Sequence, residues 1–591
     1  MTTSSDPCGH SATSRRRFIL SAGALAAVPL SGCGGGGNSG NGFLPLPTAA
    51  APPAPAPAPA LAPAPAPAPA PAPMVETSSG TLKGQRTADD AIAFFLGVPY
   101  AQPPVGALRF RSPQPYRAPG GVFDATAFGA ASLQTLPAYV TWIYPSPAVQ
   151  SEDCLTLNVW APSQRRKLPV VVWLHGGAWR TGATSMPLMN GEALARKGVV
   201  VVTANFRLGA MGTLSHPDLV DPDTGTQANW QLQDQIAVLQ WVRRNAEAFG
   251  GDPANVCLIG QSAGGTSGAI LAQNPVARAC FQKAMLLSPA GVPAPTGFTL
   301  ADAGRYAEAL AARLQTTPSG LRDIPASTLH QAELALNAQP LPAGITSGRG
   351  LRAAPIIDGQ VCLSDWTRTA WPGDLPLVIT NTLTEGSFFL DAYDPITQAR
   401  LTPALPASRA ELLALVTPQA GGSQANADAV IDAYTDAAAR EGRSTAPGDV
   451  WIEIYGDRVL RNFSVRYAAK VAGDGGNVRY ATYAHQIQAP GRGVPHCAEL
   501  PMLFGSFGLD YYRDKVGAGA AEAQLSDALM TAVLSFASDG NARLAPALDW
   551  PRFSGASDSA ASFGGQNAAV ATIGPVPKVA QLGVWDALLG Y

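Results

Sequence analysis

Charge is scarce in this chain: Asp, Glu, Lys and Arg make up only 14% of its 591 residues, and the formal net charge is −2. No Lys/Arg block or basic stripe runs through it, which argues against a nucleic-acid-binding footprint. Histidine is rarer still, with six in all. The seven cysteines are scattered at 8, 33, 154, 257, 280, 362 and 497 and form no C-x-x-C pair. That spacing signals neither a zinc site nor a thioredoxin-like redox motif. Nothing implies a metal or an organic cofactor. The apolar stretch Phe18–Leu30 is too short to span a bilayer as a stable helix.

What is abundant is proline, glycine and alanine, and much of it lies near the N-terminus. "SRRRFILSAGALAAVPLSGC", Ser14 to Cys33, places three arginines before an apolar stretch that ends in Cys33. The Arg-Arg pair followed by Phe18 resembles a twin-arginine (Tat) export signal. "LSGC" resembles a lipobox, whose cysteine is lipidated and becomes the new N-terminus. Residues 1–33 are therefore expected to be an export signal. Cleavage before Cys33 would remove one aspartate and three arginines, moving the formal charge from −2 to −4. Residues 34–74 read as a tether: a flexible glycine-rich piece, then an alternating Ala-Pro tract from Thr48 to Pro73. Proline fixes φ and removes donors, so this tract favours an extended polyproline path. At about 3.1 Å per residue it could hold the rest of the chain roughly 80 Å from a membrane.

Residues 75–591 read as one globular region. Short strands punctuated by Gly and Pro come first, in "VETSSGTLKG" and "FFLGVPYAQPP". "LPVVVWLHGG" and "GVVVVTANFR" are continuous apolar runs, with a short helix predicted around Gly191 to Lys197 between them. Leu232, Ile236, Leu239 and Val242 recur at helical spacing. "NVCLIG", "KAMLLS" and "LPLVITNT" follow as strands, and "SAGGTSGAILAQ" as a small-residue helix. Apolar strands alternating with helices predict an α/β fold with a mainly parallel sheet covered on both faces. Helical insertions are expected over Ala301–Leu336 and Ala407–Ala472.

The chemistry centres on "CLIGQSAGG", Cys257 to Gly265. Ser262 stands in a G-x-S-x-G frame between a predicted strand and a predicted helix. That context is what a nucleophile elbow requires: a sharp turn, small neighbours and an exposed hydroxyl. Upstream, "HGGAW" ends an apolar strand and can aim the N–H groups of Gly176 and Gly177 at a tetrahedral intermediate, with the N–H of Ala263 as third donor. Two histidines compete as base. His485 lies in strand-like "RYATYAH"; His496, on a Gly/Pro loop far downstream, is the better placed. Glu385, in a loop after "LPLVIT", is the favoured acid, with Asp358 and Asp391 as rivals. Loops at the carboxyl ends of parallel strands are where such sites form.

These residues sit within a longer set of motifs. "FLGVPYAQPPVGALRF", "SEDCLTLNVWAP", "HGGAW", "NWQLQDQIAVLQWV" and "FGGDPANVCLIGQSAGG" occur in order, followed by "APIIDG", "TEGSFF", "HCAELPMLFG" and "DWPRF". With them, residues 75–591 resemble the type-B carboxylesterases, the family that includes the cholinesterases. The resemblance implies an α/β-hydrolase fold and a Ser262–Glu385–His496 triad that cleaves carboxylic esters through an acyl-enzyme. Carbamates and activated amides are alternative substrates for the same machinery. A non-catalytic binding module on the same scaffold is a further rival, disfavoured because all three triad residues are present.

Three departures stand out. The family usually places Glu immediately before the nucleophile; here Gln261 stands there, which weakens any expectation of cationic substrates. The usual partner of the cysteine in "EDCL" is replaced by Ser132, so Cys154 is expected to be unpaired. The lipobox and tether lie outside the general pattern and imply a bacterial enzyme lipid-anchored at the cell envelope, facing the periplasm or the surface. Trp179, Phe388 and Phe389, beside the catalytic motifs, are candidate pocket residues.

Overall fold

The computed structural model describes residues 71–591, except 119, 165, 291–297, 348–351, 394–398, 489–492, 546–547, 556–558, 566–569 and 590–591. The export signal, Cys33 and nearly all of the tether lie outside the described residues.

Among the described residues, eleven strands form one sheet. In chain order they are β1 (Gln85–Arg86), β2 (Ile92–Pro99), β3 (Thr156–Pro162), β4 (Leu168–Leu174), β5 (Val200–Ala204), β6 (Gly251–Gln261), β7 (Lys283–Leu287), β8 (Leu377–Thr382), β9 (Val478–Tyr483), β10 (Ala560–Phe563) and β11 (Ala571–Gly574). Their spatial order is β11-β10-β9-β8-β7-β6-β4-β5-β3-β2-β1. Every pairing from β5 through β4, β6, β7, β8 and β9 to β10 is parallel. The β1, β2 and β3 edge and the β10–β11 pair are antiparallel. A separate small sheet is built from Met74–Thr77, Gly80–Lys83 and Val122–Asp124.

The apolar runs in the sequence have the expected cause. Central parallel strands are covered on both faces, so both alternating sets of side chains must be apolar. Val170, Val172, Leu174, Leu258 and Leu286 enter one core, against the helix α1 (Trp230–Asn245). Val171, Trp173, Ile259, Met285 and Leu287 enter the other, against the helix Ala520–Asp539. On α1, Leu232, Leu239 and Val242 are buried and Ile236 is half-buried, as their spacing predicts. The two predicted insertions are helical: Leu300–Arg313 with Ala326–Asn337, and a run of helices from Arg409 to Gly473.

The short helix α2 (Ala263–Gln273) begins directly after β6. Its small residues let it press on the sheet. A methyl group on Gly264 would stand 2.1 Å from the carbonyl oxygen of Leu174, and one on Gly260 would stand 2.2 Å from that of Gly264. Both obstacles are main chain, which cannot step aside as a side chain can. The five cysteines among the described residues are all buried and free. Burial pushes the Cys154 thiol up to about 12, and Ser132 is its hydrogen-bonding neighbour.

Gly264→Ala is therefore expected to destabilise the protein by about 1–3 kcal/mol or more, the range for overpacking a closed site. Urea denaturation followed by tryptophan fluorescence measures it; an unchanged midpoint would contradict the close approach.

Candidate active site

Register brings the functional segments together. Leu174 at the end of β4 lies opposite Gly260 of β6, and Leu287 of β7 lies opposite Gln261. The residues that follow those ends, His175–Gly176, Ser262 and Ser288, therefore emerge side by side on the carboxyl edge. The Ser262 N–H donates to the Leu287 carbonyl at 2.8 Å, and the Ser288 N–H to the Thr380 carbonyl at 2.7 Å. One strand further, β8 delivers Glu385 and its loop.

Ser262 has φ 56° and ψ −121°, a backbone conformation that costs a non-glycine residue energy and persists only when its surroundings enforce it. Here the enforcement is the strand behind it and α2 ahead. The Gly176 turn packs directly on it, since a methyl group on Gly176 would touch the Ser262 Cβ at 3.0 Å and the Gln261 side-chain oxygen at 2.4 Å. Gly177 has φ 108°. Its carbonyl is tied into the following turn by the N–H groups of Arg180 and Thr181, each at 3.0 Å. The N–H groups of Gly176, Gly177 and Ala263 find no acceptor among the described residues, which leaves them available to an oxyanion. His175 is a structural member of this turn. It stacks on Phe206 at 4.3 Å, and burial lowers its pKa to about 4, keeping it neutral.

Glu385 and His496 make a close polar contact, Oε2 to Nδ1 at 2.6 Å, with 0% and 2% of the two side chains exposed. The other carboxylate oxygen accepts from Ser288 Oγ at 2.6 Å, the Thr382 N–H at 2.8 Å and Asn381 Nδ2 at 3.1 Å. A buried carboxylate with its lone pairs filled can stay ionised. Burial works against that charge, but His496 and these donors hold the Glu385 pKa below its ordinary value. Burial also opposes the imidazolium of His496; Cys497 and Glu385 outweigh it and hold that pKa well above 6.5. The imidazole Nε2 lies 3.1 Å from Gln261 Nε2, which also donates to Cys497 Sγ at 3.1 Å.

Ser262 and His496 line one cleft of about 480 Å³ of open volume. Phe388 and Phe389 line it too, with ring centroids 5.5 and 5.4 Å from that of His496. Trp179 does not. It is buried against Ala263, Ala353 and Ala354 and donates its indole N–H to Ser267 Oγ at 3.0 Å, so its expected pocket role is replaced by anchoring the oxyanion turn to α2. The rival residues are engaged elsewhere. His485 pairs with Glu522 at 3.0 Å, Asp358 binds the N–H groups of residues 360–362, and Asp391 pairs with Arg400 at 3.0 Å.

Several participants escaped the sequence. Ser288 and Asn381 hold Glu385 but belong to no motif; their one sequence cue is a polar residue at the end of an apolar strand. Glu499 follows His496 by three residues, is 4% exposed, and has neither oxygen hydrogen-bonded among the described residues. Burial, with the charge of Glu385 adding and His496 opposing, pushes its pKa up to about 7. Arg180, at the rim of the cleft, was also missed. Among the described residues no group of His, Cys, Asp or Glu is arranged to hold a metal, and no helix is long and apolar enough to cross a membrane.

Comparison with known proteins gives a consistent picture. A family model described as the carboxylesterase family matches residues 71–575. The chain is 31% identical over 493 residues to the fumonisin B1 esterase of Sphingopyxis macrogoltabida, covering 81% of this chain and 84% of that one. It is 30% identical over 518 residues to the phenmedipham hydrolase of Pseudarthrobacter oxydans, covering 84% and 96%. A para-nitrobenzyl esterase of Bacillus subtilis (strain 168) is 46% identical over 219 residues, 37% of this chain and 44% of that one. A solved PNB esterase structure superposes with a TM-score of 0.69 at 30% identity, covering 86% of this chain and 99% of that one.

The electrostatics of the Glu385–His496 pair fix a pH dependence. A base must be neutral to accept a proton, so kcat/KM should fall as pH drops through the imidazole midpoint, which lies above 6.5. Glu385→Gln removes the neighbouring negative charge. The midpoint should then move to lower pH, and the plateau rate should drop by about 10³–10⁴. A pH–rate series on a nitrophenyl ester reads both; an acidic limb that does not move would contradict this coupling.

Proposed function

The chain belongs to the carboxylesterase family, and from that premise we propose that Ser262, Glu385 and His496 form the triad through which it hydrolyses carboxylic esters by way of an acyl-enzyme. The observation that carries this assignment is the meeting, at one sheet edge, of a strained Ser262, a set of unengaged N–H groups and a buried Glu385–His496 pair.

In this reading His496 Nε2 takes the Ser262 proton as Oγ attacks the ester carbonyl. In the structure Nε2 faces the Gln261 amide at 3.1 Å, so this step requires Ser262 Oγ to take the place of that amide on the imidazole. The developing oxyanion is held by the N–H groups of Gly176, Gly177 and Ala263, each donor worth on the order of 2.7–4 kcal/mol. His496, now charged and steadied by Glu385, returns the proton to the departing alcohol. Water then enters on the same base, attacks the acyl carbonyl and frees Ser262. Phe388 and Phe389 give the cleft its apolar wall and shield the ion pair from bulk water. Trp179 acts beneath the turn rather than on substrate.

A carbamate or activated amide is the second reading, since the triad sets the carbonyl chemistry and the pocket sets the leaving group. Similarity over 96% of a phenmedipham hydrolase favours keeping it, and makes phenmedipham a probe beside simple esters. The N-terminal sequence supports export, lipidation at Cys33 and anchoring at a bacterial cell envelope, with residues 34–74 as spacer.

Two outcomes are expected. Para-nitrophenyl acetate to decanoate should be hydrolysed by residues 69–591 and lost in Ser262→Ala; activity surviving in that variant would remove Ser262 from the mechanism. Expressed with its leader in a bacterium, the full chain should incorporate labelled palmitate and fractionate with membranes, and Cys33→Ala should do neither. Label in the variant would place the lipid elsewhere.

A further inference from the structure

The cleft above Ser262 is lopsided in charge. Its walls are apolar and aromatic, with Tyr139, Val140, Phe388 and Phe389 among them. Among the described residues no carboxylate lines it. Beside the nucleophile stands the neutral amide of Gln261, and Glu385 is sealed behind His496. Among the described residues the one side chain of fixed charge in the lining is Arg180.

Arg180 is exposed, and its guanidinium makes no hydrogen bond or ion pair with any described residue. An arginine with five donors and no partner, at the rim of an apolar cleft, is a ready seat for a carboxylate. Its position is not left to chance. The Arg180 N–H bonds the Gly177 carbonyl at 3.0 Å, so the residue is part of the same turn that carries the oxyanion donors. Ala178 and Trp179 before it have φ 53° and 54°, a left-handed pair that turns the chain sharply. Trp179 is pinned inward by its bond to Ser267, which sends its neighbour outward to the cleft. The charge of Arg180 is felt by Tyr139 of the same lining and by the buried Tyr306 outside it, and at both it opposes the effect of burial on the hydroxyl.

Resting on the ester-hydrolase reading above, we propose that Arg180 is a specificity-determining residue and that the preferred substrates are esters bearing a free carboxylate, such as half-esters of dicarboxylic acids. Apolar walls with few polar neighbours weaken screening, so one cation has more effect there than on open surface.

The test compares charged and neutral esters of nearly the same shape. On the acyl side these are 1-naphthyl hydrogen glutarate and its methyl-capped diester. On the alcohol side they are 4-carboxyphenyl butyrate and its methyl ester. Release of naphthol or phenol gives kcat/KM for each, and the ratio within one preparation cancels any loss of folded protein. The expected result is a preference of about fivefold for the anionic member of at least one pair at low salt, and its decline at 0.5 M salt, roughly the worth of one partly exposed ion pair. Arg180→Gln should lower that ratio by the same factor, and Arg180→Lys should retain most of it. The pair that responds tells whether the carboxylate sits on the acid or the alcohol. A ratio at or below one in both pairs, or one unmoved in Arg180→Gln, overturns the proposal. Ser262-dependent hydrolysis of the neutral esters would then leave the esterase reading standing. A folded parent that cleaves none of the four overturns both.

Discussion

The whole site depends on one steric constraint, the approach of main chain to main chain where β4, β6 and α2 meet. Gly260 and Gly264 sit within about a bond length too near for any β-carbon, with Leu174 and Gly264 carbonyls as the obstacles. That closeness is what bends the chain through the left-handed Ser262 and leaves its hydroxyl at the sheet edge. It also sets the Gly176 turn against the nucleophile. A looser join would relieve Ser262 of its strain and move the Gly176 turn away from it.

Around this join the protein arranges charge with economy. One buried carboxylate is fully hydrogen-bonded, by Ser288, Thr382, Asn381 and His496, and so can remain ionised where an unpaired one could not. Its charge favours the protonated form of the His496 imidazole. Glu499, buried without such donors, is driven the other way, toward the neutral acid. Two carboxyl groups near one histidine are thus shifted in opposite directions, Glu499 upward by burial and the charge of Glu385, and Glu385 downward by His496 and its hydrogen-bond donors.

The substrate face follows a different logic. Among the described residues it is aromatic and free of carboxylates, and the neutral Gln261 stands where the family usually has an acid. Such a cleft offers a cationic substrate aromatic faces but, among the described residues, no ion-pair partner. Arg180, on the turn that carries the oxyanion donors, biases it toward the opposite charge.

Much of this was legible in the sequence. Runs such as "LPVVVWL" and "NVCLIG" determined parallel strands because both faces of a central strand must be apolar. Glycines flanking Ser262 determined the elbow because nothing larger fits a turn that tight. Chain order and loop context then singled out Glu385 and His496. What the sequence left open was decided by register and packing. Ser288 reaches Glu385 only because β7 and β8 lie side by side, a neighbourhood that spacing along the chain does not encode, whereas Asn381 reaches it from four residues back on β8 itself. Trp179 read as a pocket residue since it adjoins the oxyanion glycines, yet two successive left-handed residues turn it under the site and send Arg180 to the cleft instead. Local pattern specifies which way a strand or helix presents its side chains; in an irregular turn no period exists, and only the surrounding tertiary structure decides which residue faces the substrate.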